Sequence, residues 1–327
     1  MRQLTNYSSR EQTWQIDFKQ AIKSQRELES FFDIKLEFEL NYPVFIPYHF
    51  AEKIKNAGHG SPLWNQFIPT SEELKETGLI DPIGDHLKSQ GDGIIHRYKN
   101  RILFTPTTIC PIICRYCFRK NELYSNDDIF KKSLIGLKEY LASSPEVNEV
   151  ILTGGDPLIL GNANLDQLLK VLSTAQISFV RFHTRTPIIL PNRIDLGFLE
   201  LIEKYSTQFK KLLMVVHTNH IDEIDTEVAG VLELLSKQKI ECLTQSVLLK
   251  GVNDSEKCLK NLLNKVIDCN FRPYYLHHPD KVRGGMHFYI SEMEGKKIFN
   301  KLRNDLPGWA LPQYVVDSPD GSGKKLV

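Results

Sequence analysis

The chain has 327 residues, with 41 basic and 40 acidic side chains and a formal net charge of +1, so no overall field draws it to nucleic acid or to acidic membranes. Hydrophobic residues at 41% and charged residues at 25% are ordinary for a soluble globular protein. No apolar run approaches the roughly 20 residues that span a bilayer, and Met1-Arg-Gln-Leu-Thr-Asn-Tyr-Ser-Ser-Arg10 lacks the apolar core of a secretory signal. The six cysteines are three clustered and three scattered (Cys242, Cys258, Cys269), a poor disulfide framework at this length, which points to a reducing, cytoplasmic setting.

By length the chain is either two domains or one α/β barrel with an appendage. Residues 1–95 read as a helical, irregular N-terminal extension. Trp14, Phe18 and Ile22 at four-residue steps predict an amphipathic helix over Gln12 to Lys23, and Leu28, Phe31 and Phe32 suggest a second. Tyr42-Pro-Val-Phe-Ile-Pro47 breaks the pattern, because proline restricts its own φ and the residue before it.

Over residues 96–300 the pattern alternates. Strands are predicted at Ile102 to Thr107, Glu149 to Thr153, Phe179 to His183, Leu212 to His217, Glu241 to Val247 and Arg272 to Leu276. Between them, helical periodicity marks Asp128 to Ser143, Leu165 to Leu172, Leu196 to Ile202, Val228 to Leu235 and Leu259 to Ile267. Six strands alternating with helices argue for parallel βαβ units and an α/β fold, a partial (β/α)6 barrel short of the eight repeats of a closed one. A doubly wound open sheet is the alternative that periodicity leaves standing. Residues 301–327 form a tail in which a short apolar strand from Ala310 runs into a glycine-containing loop ahead of Lys324.

Polar or glycine-bearing residues follow the strand ends: Gly154-Gly-Asp156, His183-Thr-Arg185, His217-Thr-Asn-His220, Gln245 and His277-His-Pro-Asp280. In parallel α/β folds sites form at the carboxyl ends of strands, so these residues mark one mouth. The strongest motif lies just past the first strand, in Cys110-Pro-Ile-Ile-Cys114-Arg-Tyr-Cys117-Phe-Arg119-Lys120. Thiolates gathered on one loop can hold a soft metal centre, yet a tetrahedral zinc or an ordinary cubane needs four ligands and only three are local. A cubane on three cysteines keeps one iron open to another molecule. Zinc with a remote fourth ligand, a disulfide and chance burial are the plainer readings.

Other residues are weaker alone. Thr153-Gly-Gly-Asp-Pro-Leu158 fits a tight turn as well as a backbone that lets a ligand approach. Lys324 fits a solvated lysine as well as one forming a Schiff base. Arg97 and Arg101 read as surface charges, and Asp280 and Asp317 as solvated loop acids. His217, His220, His277, His278 and His287 lack the spacing of a helix-borne metal motif.

The cysteine spacing resembles that of the radical S-adenosylmethionine enzymes, and further segments narrow the resemblance to the lysine 2,3-aminomutase family. These are Phe118-Arg119 after the cysteines, Gly154-Gly-Asp-Pro-Leu158, His183-Thr-Arg-Thr-Pro187, Pro191-Asn-Arg-Ile194, Gln245-Ser-Val-Leu-Leu-Lys-Gly-Val-Asn-Asp254, Pro273-Tyr-Tyr-Leu-His277 and the Pro319-Asp-Gly-Ser-Gly-Lys324 tail. They span roughly residues 60 to 324 in the family's order. The resemblance implies a [4Fe-4S] cluster on Cys110, Cys114 and Cys117, whose open iron holds S-adenosylmethionine, with Gly154, Gly155 and Asp156 at that cofactor's methionine end. It implies pyridoxal 5'-phosphate on Lys324, its phosphate met by Arg97, Arg101 and Gln245. Arg119 would clamp the carboxylate of L-lysine, and Asp280 and Asp317 its distant ammonium. The implied reaction is a radical 1,2-amino shift giving β-lysine, with reduction by a flavodoxin or ferredoxin.

One departure bears on the branch. The long members place a cysteine after the Val-Asn-Asp segment as part of an intersubunit zinc site; here that position is Ser255, and the chain runs three residues past Lys324. That zinc site is therefore expected to be absent. The short form resembles the branch that makes (R)-β-lysine for elongation factor P, whereas the Pro-Asp-Gly-Ser-Gly-Lys tail resembles the free-lysine enzymes. An aminomutase for another amino acid, a radical S-adenosylmethionine enzyme of different outcome, and a non-catalytic protein with structural zinc are the competing functions.

Overall fold

The computed structural model describes residues 13–123 and 130–327. The N-terminal part carries α1 (Thr13–Lys19), β1 (Ala21–Ile22), α2 (Gln25–Phe32), β2 (Ile46–Pro47), α3 (Tyr48–Ala57) and α4 (Pro62–Phe67). Ser24 starts α2 with a complete capping box, its hydroxyl accepting from the amide of Glu27 while the Glu27 carboxylate reaches back. The helix expected over Gln12 to Lys23 stops at Lys19, and Gln12 lies outside the described residues. Ile22 keeps the burial its spacing implied but sits in β1, paired with Ile46. Its apolar partner is a strand, and that contact overrides the helical period.

A hairpin of β3 (Ser89–Gly91) and β4 (Ile94–Tyr98) then leads into six parallel strands: β5 (Arg101–Phe104), β6 (Glu149–Leu152), β7 (Phe179–Thr184), β8 (Lys211–His217), β9 (Glu241–Val247) and β10 (Arg272–His277). Between them run α5 (Phe130–Ser143), α6 (Asn162–Thr174), α7 (Thr186–Ile189), α8 (Leu196–Ser206), α9 (Thr226–Ser236) and α10 (Glu256–Asp268). The Asp128 start expected for α5 lies outside the described residues. After α11 (Glu292–Asp305) the chain adds β11 (Gln313–Asp317), parallel to β10, and β12 (Lys324–Leu326), antiparallel to β11. Lys324 thus opens β12 at the end of the glycine-containing loop.

The ten strands lie in strict chain order, β3 to β12. A doubly wound sheet reverses its order at a switch point, and this one does not. With crossovers of one hand, the helices cover one face only and the sheet curls away from them. Burial follows the pleat: Ile102, Val150, Val180 and Met214 face the helices and are fully buried, whereas Arg101, His183, His217 and Gln245 face the hollow and are half-buried. The curl is closed enough for Arg181 on β7 to donate to the Tyr274 hydroxyl on β10 at 3.0 Å, with two strands between them in the sheet. At the open seam, β4 meets β11 and β12 through side chains. Arg97 donates to Asp317 at 3.1 Å, and the backbone amide of Lys324 donates to the Tyr98 hydroxyl at 2.9 Å. The result is a partial (β/α)6 barrel. Among the described residues no helix is long and apolar enough to cross a membrane.

Candidate active site

The cysteine loop follows β5 directly, and the N-terminal segment grips it. The amide of Ile113 donates to the Phe45 carbonyl at 3.1 Å, and that of Arg115 to the Gln66 carbonyl at 2.9 Å. The Arg115 guanidinium, 1% exposed, forks onto both carboxylate oxygens of Glu73 (Nε–Oε1 2.8 Å) and reaches the Pro43 carbonyl at 2.9 Å. Lys120, also buried, donates to the carbonyls of Arg115 and Gly284, both at 2.8 Å. This belt fixes the backbone so that half-buried Cys110 and Cys117 pack against Ala21, Phe45, Ile113 and Leu123, while half-buried Cys114 packs against the main core. None of the six cysteines is joined in a disulfide. Burial pushes the three clustered thiols up, Cys117 to about 11, and at Cys110 and Cys117 the charges of neighbouring thiols add to the effect. Arg185 and the Tyr116 hydroxyl pull Cys114 back the other way.

The glycine segment packs against the same loop. The amides of Gly155 and Asp156 donate to the carbonyls of Thr107 and Ile109 at 2.9 and 2.8 Å. Gly154 has φ +99° and lies against the Thr105 side chain, and a Cβ on Gly155 would overlap the Ile109 carbonyl oxygen, so Gly155 lets two backbones touch. The buried Asp156 carboxylate accepts from the amides of Leu158, Arg185 and Thr186 and from the Thr184 hydroxyl. It ties the end of β6 to the end of β7.

Across the mouth, charged groups form a chain. Lys324 Nζ lies 3.0 and 2.9 Å from the two carboxylate oxygens of Asp317. Arg97 bridges Asp317 to Asp85, the latter at 2.6 Å, and also meets the Ile83 carbonyl at 3.0 Å. Asp85 in turn takes Arg119 on its other oxygen. His277 faces Asp317 at 3.8 Å. Burial alone would raise the Asp317 carboxyl, but His277 and Lys324 outweigh it and hold the group well below the usual range. Asp280, by contrast, is pushed up to about 7 by burial and then by the Asp317 charge. One acid of the pair is firmly ionised and the other is poised. Arg101 stands apart, its guanidinium 3.8 Å over the Tyr98 ring. Gln245 lies on β9 beside His217 and Tyr275, and Lys324 Nζ is 6.0 Å above the Tyr275 ring.

No family model matches the chain. It is 34% identical over 322 residues to the L-lysine 2,3-aminomutase of Buchnera aphidicola subsp. Baizongia pistaciae, covering 95% of this chain and 94% of that one. The enzyme of the same name from Haemophilus influenzae is 34% identical over 326 residues, covering 97% and 96%. That from Escherichia coli K12 is 33% identical over 277 residues, covering 84% and 80%. The chain belongs to the lysine 2,3-aminomutase family. Among solved structures, Streptococcus suis SuiB bound to S-adenosylmethionine overlaps with a TM-score of 0.48 at 15% identity, over 66% of this chain and 50% of that one.

Membership makes the chain a radical S-adenosylmethionine isomerase, which works with a [4Fe-4S] cluster and S-adenosylmethionine. The donor set fits the cluster: three thiols on one loop outside any disulfide, a guanidinium beside one sulfur, and apolar packing around the loop. Among the described residues no group of three or more His, Cys, Asp or Glu is gathered closely enough for a single metal ion. Thiolates bound to three different irons stand farther apart than ligands of one ion. The mouth histidines make hydrogen bonds instead: His217 Nε2 meets the Tyr116 hydroxyl at 2.8 Å, and His278 Nδ1 meets the Tyr314 hydroxyl at 2.7 Å. At the position of the family's zinc cysteine, Ser255 caps α10, its hydroxyl accepting from the Cys258 amide at 3.2 Å. Three residues escaped the sequence reading: Asp85, Tyr98 and Glu223, the buried partner of Arg185. Their one sequence signal was the arginine-rich neighbourhood, which demands counter-charges without naming them.

Proposed function

We propose that this chain converts L-lysine to β-lysine by a radical 1,2-amino shift, with pyridoxal phosphate held on Lys324. The observation that carries this reading is the meeting of Lys324 with Asp317 and Asp280 at one mouth, in a member of this family. When bound, the cluster and S-adenosylmethionine supply a hydrogen-abstracting radical, and pyridoxal phosphate supplies a conjugated ring that steadies the migrating nitrogen.

The chain's own residues bind and orient. Arg119, on the turn after the last cysteine, takes the substrate carboxylate, exchanging it for Asp85. Asp317 and Asp280 receive the distal ammonium; in a closed site an unpaired ammonium would be costly, so two acids select lysine over glutamate. Arg97 and Arg101, with Gln245, suit a phosphate dianion through paired hydrogen bonds. Gly154 and Gly155 present backbone to the methionine end of S-adenosylmethionine, and Asp156 holds that segment in register. The buried belt around Arg115 excludes water and oxygen from the reacting centre.

The finer reading is that the product is (R)-β-lysine for elongation factor P, in a reducing cytoplasm, with electrons from a flavodoxin or ferredoxin. Ser255 in place of the zinc cysteine supports the compact branch, and six cysteines outside any disulfide support the compartment.

The test is an anaerobic assay of cluster-reconstituted protein with reductant, S-adenosylmethionine and pyridoxal phosphate, β-lysine being quantified by mass spectrometry. Rapid turnover of free L-lysine supports the reaction and a free-lysine role. Slow turnover that rises on lysylated elongation factor P supports the finer reading. Turnover of glutamate without lysine would overturn the assignment of Asp280 and Asp317.

A further inference from the structure

The sulfur of Cys114 stands in front of a buried ion pair. Arg185, just past β7, is 6% exposed. Its Nη1 donates to Cys114 Sγ at 3.5 Å and to the Tyr116 hydroxyl. Its Nη2 donates to Glu223 at 2.7 Å and to Gln66 Oε1 at 3.1 Å, and the guanidinium lies 4.9 Å from the Phe67 ring. Each neighbour is itself fixed. Glu223, fully buried, accepts from the Thr218 hydroxyl and from the amides of Asn219 and His220, all at 3.0 Å. Gln66 donates to Glu223 at 3.0 Å, and the Tyr116 hydroxyl is hydrogen-bonded to His217 Nε2 at 2.8 Å. The guanidinium is therefore held against the sulfur by α4, the cysteine loop and the segment after β8, and cannot swing away.

We propose that Arg185 is a positioning residue that sets the reduction potential of the cluster through Cys114; this rests on the reading of Cys110, Cys114 and Cys117 as its ligands. One-electron reduction adds negative charge to the cluster and its sulfurs. A fixed cationic N–H donor stabilises the reduced form more than the oxidised one and moves the potential upward. Water screens it little here, because the guanidinium, Glu223 and Gln66 are buried. Glu223 offsets the charge enough for the arginine to stay buried, and one N–H remains for the sulfur. Glu223, Gln66 and Tyr116 already hold the guanidinium through Nη1 and Nη2, and its buried Nε has no partner among the described residues. The contact with sulfur is the part that architecture leaves unexplained.

The experiment compares wild type, Arg185→Gln, Arg185→Lys and Tyr116→Phe after anaerobic reconstitution. Iron and sulfide are counted first, and the cluster is then titrated with a reductant while electron paramagnetic resonance follows the reduced form, without S-adenosylmethionine. At equal iron content Arg185→Gln is expected at a clearly more negative potential, and Arg185→Lys between it and wild type. Tyr116→Phe, which loosens the guanidinium without removing it, is expected to shift slightly the same way. Wild-type potential in a fully loaded Arg185→Gln overturns the proposal. If that variant holds no iron, wild-type potential in both Arg185→Lys and Tyr116→Phe overturns it. A wild-type chain that takes up no iron–sulfur cluster defeats the cluster reading itself, whereas unchanged potentials in loaded variants defeat only the role of Arg185.

Discussion

Lys324 and Asp317 face each other across the β11–β12 ladder, with Nζ within 3.0 Å of both carboxylate oxygens. The lysine that would bond to pyridoxal phosphate is thus paired with an acid that would receive the substrate's ammonium, so each must leave the other for the site to fill. Truncating Lys324 and neutralising Asp317 should therefore separate. Lys324→Ala is expected to lose the absorption band of bound pyridoxal phosphate altogether. Asp317→Asn is expected to keep that band while kcat/KM for lysine falls by roughly two orders of magnitude or more, given about 2–5 kcal/mol for one half of a buried charge pair. A band that survives in Lys324→Ala would remove Lys324 from its role.

The two acids of the mouth should respond to pH with opposite signs. Asp280 is raised to about 7 in the folded chain, so between its ordinary value and about 7 the folded protein holds a proton that the unfolded chain has released. Stability of the ligand-free protein then falls as pH rises through that window, and the penalty is fully present above it. Asp280→Asn should raise Tm by a few degrees (~2–4 °C) at pH 8 and leave it unchanged near pH 4, while abolishing lysine turnover. In the wild type, kcat/KM for lysine should climb as pH passes about 7, because the ammonium needs the ionised acid. Asp317, held low, stabilises the fold above the ordinary carboxyl range and loses that contribution only as pH falls below it. A Tm difference for Asp280→Asn that is flat across pH would contradict this account.

Much of this was open to sequence, and for a physical reason. The six parallel strands are short apolar runs between amphipathic helices, and burial on the helix face forces an apolar residue at alternate positions, so the period is written locally. The cysteine loop was legible because ligand spacing is also local. The seam was not. Arg97 and Asp317 are 220 residues apart, and what joins them is the curl of the sheet, a property of its twist rather than of any one stretch. Asp85 sits in a loop with no period and reads as a solvated acid until Arg97 and Arg119 are placed beside it. Ile22 erred the other way, since its helical spacing was real but a strand partner claimed it.

The Arg115–Glu73 fork tests whether the N-terminal segment serves the cysteine loop. Glu73 is 4% exposed and Arg115 1%, so removing the acid strands a buried guanidinium with only the Pro43 carbonyl. Glu73→Ala should cost about 3–5 kcal/mol and lower the iron bound per chain. Glu72, exposed on the same turn and paired with Lys75, is the control: Glu72→Ala should leave both quantities within error. Equal iron content in the two variants would show that the belt does not hold the cluster loop.

Two glycines near one another separate close approach from mere chain flexibility. At Gly155 an added methyl would overlap the Ile109 carbonyl oxygen and lie 2.7 Å from the Thr108 carbonyl carbon, both backbone atoms of the segment that enters the cysteine loop. Backbone cannot rotate out of the way as a side-chain tip can, so Gly155→Ala must push the loop itself. At Gly161, which caps α6 with φ −65°, nothing lies within 4 Å of the added methyl. Gly161→Ala should therefore cost only what alanine loses to glycine at an N-cap, about 0.5–1 kcal/mol, with no displacement of backbone. Gly155→Ala should lower Tm by several degrees (~4–8 °C) and reduce cluster content after reconstitution, because Cys110 follows directly on the displaced Ile109. Thermal melts and iron assays on the two variants in parallel decide it. A Gly155→Ala protein that melts and loads like Gly161→Ala would mean the segment has slack that the packing denies.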